Sequence, residues 1–151
     1  MRAIIFLAGV AMAASWALVW IEPPFAGPDI SPMALVQRGT LSLSAETSWQ
    51  VWVFLGGFVA AGLAALSALR GRGSALLSLA AGLSPLVILG DALIRADGVR
   101  RDLGLPVPVE FSDLAQSWDL LQDFIRAGFW AYAGGAALLL VASLSVLVSR
   151  R

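Results

Sequence analysis

The chain has no cysteine and no histidine. The first absence excludes disulfides, thiolate metal sites and thiol catalysis. The second removes the commonest metal ligand, the usual haem ligand and the usual acid–base group near neutral pH. A Ser-His nucleophilic arrangement is impossible for the same reason. Lysine is missing too: the ten basic residues are all arginine, and ten acids balance them to a net charge of zero. Without a basic excess, nucleic acid is not expected as a partner. Charge is scarce altogether. Only 13% of the 151 residues are charged and 59% are hydrophobic, against about 25% and about 45–50% in ordinary soluble domains. Such a chain buries its apolar surface only against lipid or other apolar helices.

Phosphate loops, zinc spacings and nucleophile elbows are absent as motifs. Gly71 and Gly73 flank Arg72 in a turn far too short to cradle a phosphate. No catalytic residue, cofactor or metal is assigned, and no enzyme activity is expected.

What is present is long apolar runs. Ala127–Val148 is 22 residues without a charge, about 33 Å as a helix, enough for a hydrocarbon core of roughly 30 Å. It reads as continuous with an amphipathic helix that starts at the Ser112 cap and stands out of the bilayer. Its apolar side is Leu114, Trp118, Leu121 and Ile125; its polar side is Gln116, Asp119, Asp123 and Arg126. Three other runs behave alike, so the spans are placed at residues 3–21, 49–69, 75–94 and 113–149. The first follows Met1-Arg2 and reads as a retained span rather than a signal peptide, because its apolar character continues through Trp16, Leu18, Val19 and Trp20. Glu22-Pro23-Pro24 ends it. Within the loop 22–48, Ser31-Pro32 is an N-cap followed by proline at the first helical position, and Gly39 is a stop. A short helix is expected at 32–38. Thr47 and Gln50 have capping-box spacing ahead of the second span. Ser74 caps the third span after the turn 70–73. Pro85 removes one backbone hydrogen bond from the middle of that helix, and Asp97-Gly98 is expected to end it. The loop 95–112 leads to the last helix.

The fold class is therefore an all-α integral membrane protein, one four-transmembrane-helix bundle over residues 1–151. Charge sets its orientation. One side carries Arg2, Arg70, Arg72, Arg150 and Arg151 and no acid, while all ten acids fall on the other with the remaining five arginines. Arginine marks cytoplasmic flanks, so both termini are expected in the cytoplasm (N-in, C-in), in a bacterial inner membrane. The six tryptophans, Trp16, Trp20, Trp49, Trp52, Trp118 and Trp130, gather near the outer ends, at headgroup level.

Small residues recur at helical spacing. Gly56, Ala60 and Ala64 form one stripe of the second span, and Gly57, Ala61 and Ala65 a parallel one. Small faces let helices approach closely in lipid. Gly56, Gly57, Ala60, Ala61 and Ala64 are candidate partner-facing residues, together with Trp118, Asp119 and Asp123 on the outer extension. Asp91 lies near the outer end of the third span. Arg95, four residues on, and Arg126 on the last helix are its candidate partners in an interhelical ion pair. The interior serines Ser15, Ser67, Ser84 and Ser143 are expected to bond to the preceding turn.

Lipids and other integral membrane proteins, or further copies of the chain, are the partners this pattern implies. The reading is a non-catalytic subunit or accessory protein of a larger inner-membrane complex. A small homo-oligomeric transporter or channel is the alternative, and a membrane enzyme or binder for lipid or quinone a second. Lacking native thiols, the chain suits single-cysteine labelling. Arg70→Cys and Ser149→Cys should react with an impermeant maleimide only after the membrane is opened, and Asp29→Cys in intact spheroplasts. The reverse pattern would overturn the orientation.

Overall fold

An apolar segment away from water must pair its own N–H and C=O groups, and a helix does so within one segment. The computed structural model describes residues 2–22, 28–39, 47–71, 74–102 and 125–149, with backbone only for 96–102, and it is helical. The elements are α1 (Arg2–Ala14), α2 (Pro32–Gln37), α3 (Trp49–Leu69), α4 (Ala75–Asp102) and α5 (Ala127–Val148). Trp49–Leu69, Ala75–Arg95 and Ala127–Val148 are long and apolar enough to cross a membrane. With 13 residues, α1 covers only about 20 Å.

The four longer helices form a ring. α1 packs on α3 and α5, and α4 packs on the same two. Neighbours run in opposite directions. The Arg2 guanidinium lies beside Gly71 in the α3–α4 turn, whereas the start of α5 meets the chain that follows α1. We call these the turn end and the junction end. Gly71 takes a left-handed φ of 74°, which a side chain would strain.

Each seam of the ring closes on a glycine. A Cβ on Gly9 of α1 would sit 2.7 Å from the Ala61 carbonyl oxygen of α3. One on Gly135 of α5 would sit 2.8 Å from the Ala8 carbonyl oxygen of α1, and one on Gly82 of α4 would sit 2.9 Å from the Ala136 carbonyl oxygen of α5. Between α3 and α4, Gly57 leaves room for the Ser84 hydroxyl. The core inside this ring is correspondingly small-grained: Ala8, Ala61, Ala64, Ala81, Ala136 and Ala142 are buried with Ile5, Met12 and Leu139. Hydrophobic exclusion does not hold helices together in lipid, so contact and fit must.

A repeat underlies part of this arrangement. Trp52-Val53-Phe54-Leu55-Gly56-Gly57 in α3 and Trp130-Ala131-Tyr132-Ala133-Gly134-Gly135 in α5 share the pattern Trp-x-aromatic-x-Gly-Gly. Equivalent positions behave alike. Both tryptophans are exposed, and Phe54 and Tyr132 pack together with centroids 5.9 Å apart. The first glycine of each pair faces open space, while the second sits in a seam. The ring's neighbour pattern is unchanged when α1 is exchanged with α4 and α3 with α5.

Several local expectations meet the structure directly. α2 is capped by the Ser31 hydroxyl, which accepts from the Ala34 N–H at 3.1 Å, with Pro32 at its first position. Ser74 accepts from Leu77 N–H at 3.3 Å at the start of α4. Ser15, Ser67, Ser84 and Ser143 donate to the carbonyls of Met12, Ala64, Ala81 and Leu140 at 2.6, 2.8, 2.9 and 2.8 Å. The Ser84 bond has a further use. Pro85 has no N–H for the Ala81 carbonyl one turn back, and the neighbouring hydroxyl supplies the donor instead.

Other expectations are corrected. The first apolar run does not stay helical over residues 3–21: α1 stops at Ala14, tight turns occupy 15–18, and Ile21 is extended. The last helix does not run unbroken into α5. Arg126 is extended (φ −105°, ψ 175°) and Ile125 bridges to Ile21. Residues 112–124, with Trp118, Asp119 and Asp123, lie outside the described residues. Asp97-Gly98 does not end α4, which continues to Asp102. One glycine costs a helix about 1 kcal/mol, too little to stop it there. The N-cap of α3 is Ser48, without a side-chain cap, and Gln50 turns away to Asp91.

The glycine seams yield a matched comparison. Gly82→Ala and Gly135→Ala should each destabilise the fold by about 1–3 kcal/mol through overpacking. Gly56→Ala and Gly134→Ala, which face open space, should be neutral or gain up to about 1 kcal/mol. Thermal unfolding in a mild detergent separates the two pairs.

Candidate functional site

Polar chemistry among the described residues concentrates at the junction end, and it begins with the backbone. After Ala14 the chain leaves the helix, and its carbonyls find donors elsewhere. The Trp16 carbonyl accepts from Met33 N–H (3.1 Å), which docks α2. The carbonyls of Val19 and Trp20 accept from Gly128 N–H (3.0 Å) and Arg126 N–H (2.8 Å) at the start of α5. Ile21 and Ile30 exchange bonds of 3.2 and 2.9 Å. Helix N-termini leave their first N–H groups without intrahelical partners, so the unwound end of one helix satisfies the open start of another. Gly128 permits this approach: a Cβ there would meet the Val19 carbonyl oxygen at 2.6 Å.

Beneath this junction lies an aromatic cluster. Trp16, Trp20, Phe54, Phe58, Phe129 and Tyr132 pack with centroids 4.8 to 6.3 Å apart, mostly edge-to-face or tilted. These are the geometries the ring quadrupoles favour. Trp20 turns inward because its indole N–H donates to the Ser15 carbonyl at 2.8 Å. The tryptophan belt is thereby divided. Trp49, Trp52 and Trp130 remain exposed, while Trp16 and Trp20 build the core. The Tyr132 hydroxyl is buried without a hydrogen-bond partner. It faces the Ser84 hydroxyl, already engaged with Ala81.

Charged side chains divide into two groups here. Asp91 pairs with Arg95 within α4 at 2.7 Å and accepts from Gln50 Nε2 at 2.8 Å. The tie between helices at Asp91 therefore comes from Gln50 of α3. Arg126, expected to reach Asp91, is not part of that group: its Nε and Nη2 both lie 2.6 Å from Glu22 Oε2. The reason is local. The Arg126 N–H is bonded to Trp20, which places its side chain over the segment ending in Glu22. Next to this pair a cleft of about 400 Å³ opens, with Asp29 on its rim.

The small-residue stripes are also placed. Gly57, Ala61 and Ala65 are buried inside the ring, as is Ala64. Gly56 is exposed and Ala60 half-buried. The stripe Gly56–Ala60–Ala64 thus crosses from the outer surface into the core. The Trp-x-aromatic-x-Gly-Gly repeat would have singled out Gly134 on α5 as the counterpart of Gly56. Ile21 and Ile125, far apart in the chain, carried no local sign of their pairing. Among the described residues no three acidic side chains cluster to hold a metal ion. No protein-family model, characterised protein or solved structure matches this chain.

The Asp91 group gives a graded test. Asp91→Asn keeps an acceptor for Gln50 and should cost under about 1 kcal/mol, as expected for losing an exposed i,i+4 pair. Asp91→Leu strands the half-buried Gln50 amide and should cost about 1–3 kcal/mol. Equal losses in detergent unfolding would remove the α3–α4 tie from the argument.

Proposed function

We propose that the protein is a non-catalytic integral membrane component that works by packing against other membrane proteins, as a subunit or accessory factor of a larger bacterial inner-membrane complex. The supporting observation is the division among its glycines. Gly9, Gly57, Gly82, Gly128 and Gly135 are each used up in an internal contact, whereas Gly56, Gly62, Gly90 and Gly134 have nothing within 4 Å of a Cβ position. Gly56 and Gly134 form notches in exposed surfaces, beside Trp52 and Val59 on α3 and beside Trp130 and Leu138 on α5. In lipid such notches serve close approach by another helix.

The same reading takes the chain across the membrane four times, with the turn end cytoplasmic. Arg2 and Arg70 are described at that end, and Arg72, Arg150 and Arg151 adjoin it in sequence, in keeping with arginine-rich cytoplasmic flanks. The first crossing is a composite. Helix α1 supplies about 20 Å, and the turns and extended residues through Ile21 supply about 10 Å more. Non-helical backbone at membrane depth is tolerated where protein surrounds it, and here Met33, Arg126 and Gly128 donate to it.

Extraction in a mild detergent followed by mass spectrometry tests the proposal. Another integral membrane protein should co-purify in fixed ratio, and Gly56→Leu or Gly134→Leu should release it while the bundle stays folded. A homogeneous homo-oligomer that passes ions or solutes in liposomes would overturn the subunit reading in favour of a channel.

A further inference from the structure

The junction cleft has an amphipathic lining. Leu18, Val19 and Ala127 form its apolar wall, and Arg126, Glu22 and Asp29 supply its charge. Glu22 is bound to Arg126. Asp29 is exposed and makes no hydrogen bond or ion pair among the described residues. A guanidinium has five N–H donors in a fixed fork. Nε and Nη2 of Arg126 face Glu22, which among the described residues leaves the Nη1 edge open to an anion. Arg126 also occupies the N-cap position of α5, without a side-chain capping bond, where the helix dipole favours negative charge. The cleft therefore presents a cationic edge, a separate unpaired carboxylate and an apolar wall together.

We propose that this cleft seats one phospholipid with a phosphate–ammonium headgroup, phosphatidylethanolamine. The phosphate lies on the free edge of Arg126, the primary ammonium donates to Asp29, and an acyl chain follows Leu18, Val19 and Ala127. The charge pattern selects this headgroup. An anionic phosphatidylglycerol would bring net negative charge beside two carboxylates and offer Asp29 only neutral hydroxyl donors, whose hydrogen bonds are weaker than those of an ammonium. A phosphatidylcholine has no N–H to donate. The proposal rests on the reading of the preceding subsection that places the junction end at headgroup level.

The test is native mass spectrometry of the delipidated full-length protein, titrated in mixed micelles with each of the three lipids. Phosphatidylethanolamine should bind about tenfold more tightly than the other two, the scale of one charge-assisted hydrogen bond. Asp29→Asn should bring phosphatidylethanolamine and phosphatidylcholine within about twofold of each other. Asp29→Arg should turn the preference toward phosphatidylglycerol. Because Asp29 makes no bond, Asp29→Asn should melt like the wild type, and it decides the question alone if Asp29→Arg does not fold. Lipid bound without headgroup preference, or a preference unchanged in Asp29→Asn, overturns the proposal and leaves the membrane reading standing. A protein that binds none of the lipids and stays monodisperse without detergent overturns both.

Discussion

Unpaired backbone groups set the terms of this fold. In a medium without water, each lone N–H or C=O costs several kcal/mol. The chain leaves the helix after Ala14, well before the apolar run ends. The exposed carbonyls that result are met by the first amides of α5 and by Met33 of α2. Each partner is incomplete without the other. This exchange brings the first and last helices together, closes the ring, and places Arg126 over Glu22. The aromatic cluster, the cleft and the seat of α2 all sit around it.

Closure of the ring then rests on dispersion and fit. Glycines at the seams let backbones come within direct contact of the neighbouring helix, and alanines fill the interior. Such packing carries little tolerance, since a methyl group at Gly82 or Gly135 has nowhere to go. The bulky side chains are relegated outward. Leu63, Leu66, Leu76, Leu86, Ile94 and Val141 are exposed, as a lipid-facing surface requires. Apart from the Tyr132 hydroxyl, the polar side chains described inside the bundle are serines such as Ser15, Ser84 and Ser143, each bonded back to the preceding turn, so they add little demand on neighbouring helices.

Function on this reading belongs to surfaces. The exposed notches at Gly56 and Gly134 suit a helix from another chain, and the amphipathic cleft suits a lipid headgroup. The two features share a physical logic. Each is a place where the bundle leaves an interaction unmade: open contact surface at the glycines, and an unpaired carboxylate with a half-used guanidinium at the cleft. The repeated hexapeptide puts one notch on each of two helices that are not neighbours in the ring and meet only through rings such as Phe54, Phe58 and Tyr132, so two partners have room to approach from different sides.

Many local signals were legible in the amino acids, although the Thr47–Gln50 capping box and the Asp97-Gly98 stop were not followed. Uninterrupted apolar runs mark the three long helices, because length and composition alone decide whether a helix suits lipid. The Ser31-Pro32 start of α2 and the serine back-bonds were legible for the same reason: each depends on residues three or four apart. Asp91–Arg95 obeyed that spacing too. What depended on distant residues was decided by the tertiary structure. The break at Arg126, the turn of Gln50 toward Asp91 and the capture of Arg126 by Glu22 each follow from a partner 41 or more positions away in the chain, and the early end of α1 from partners as near as Ile30 and Met33 and as far as Gly128. A helix continues by default while its own carbonyls are its best acceptors. Only a neighbour's backbone, brought close by the closed ring, offers α1 and α5 something better.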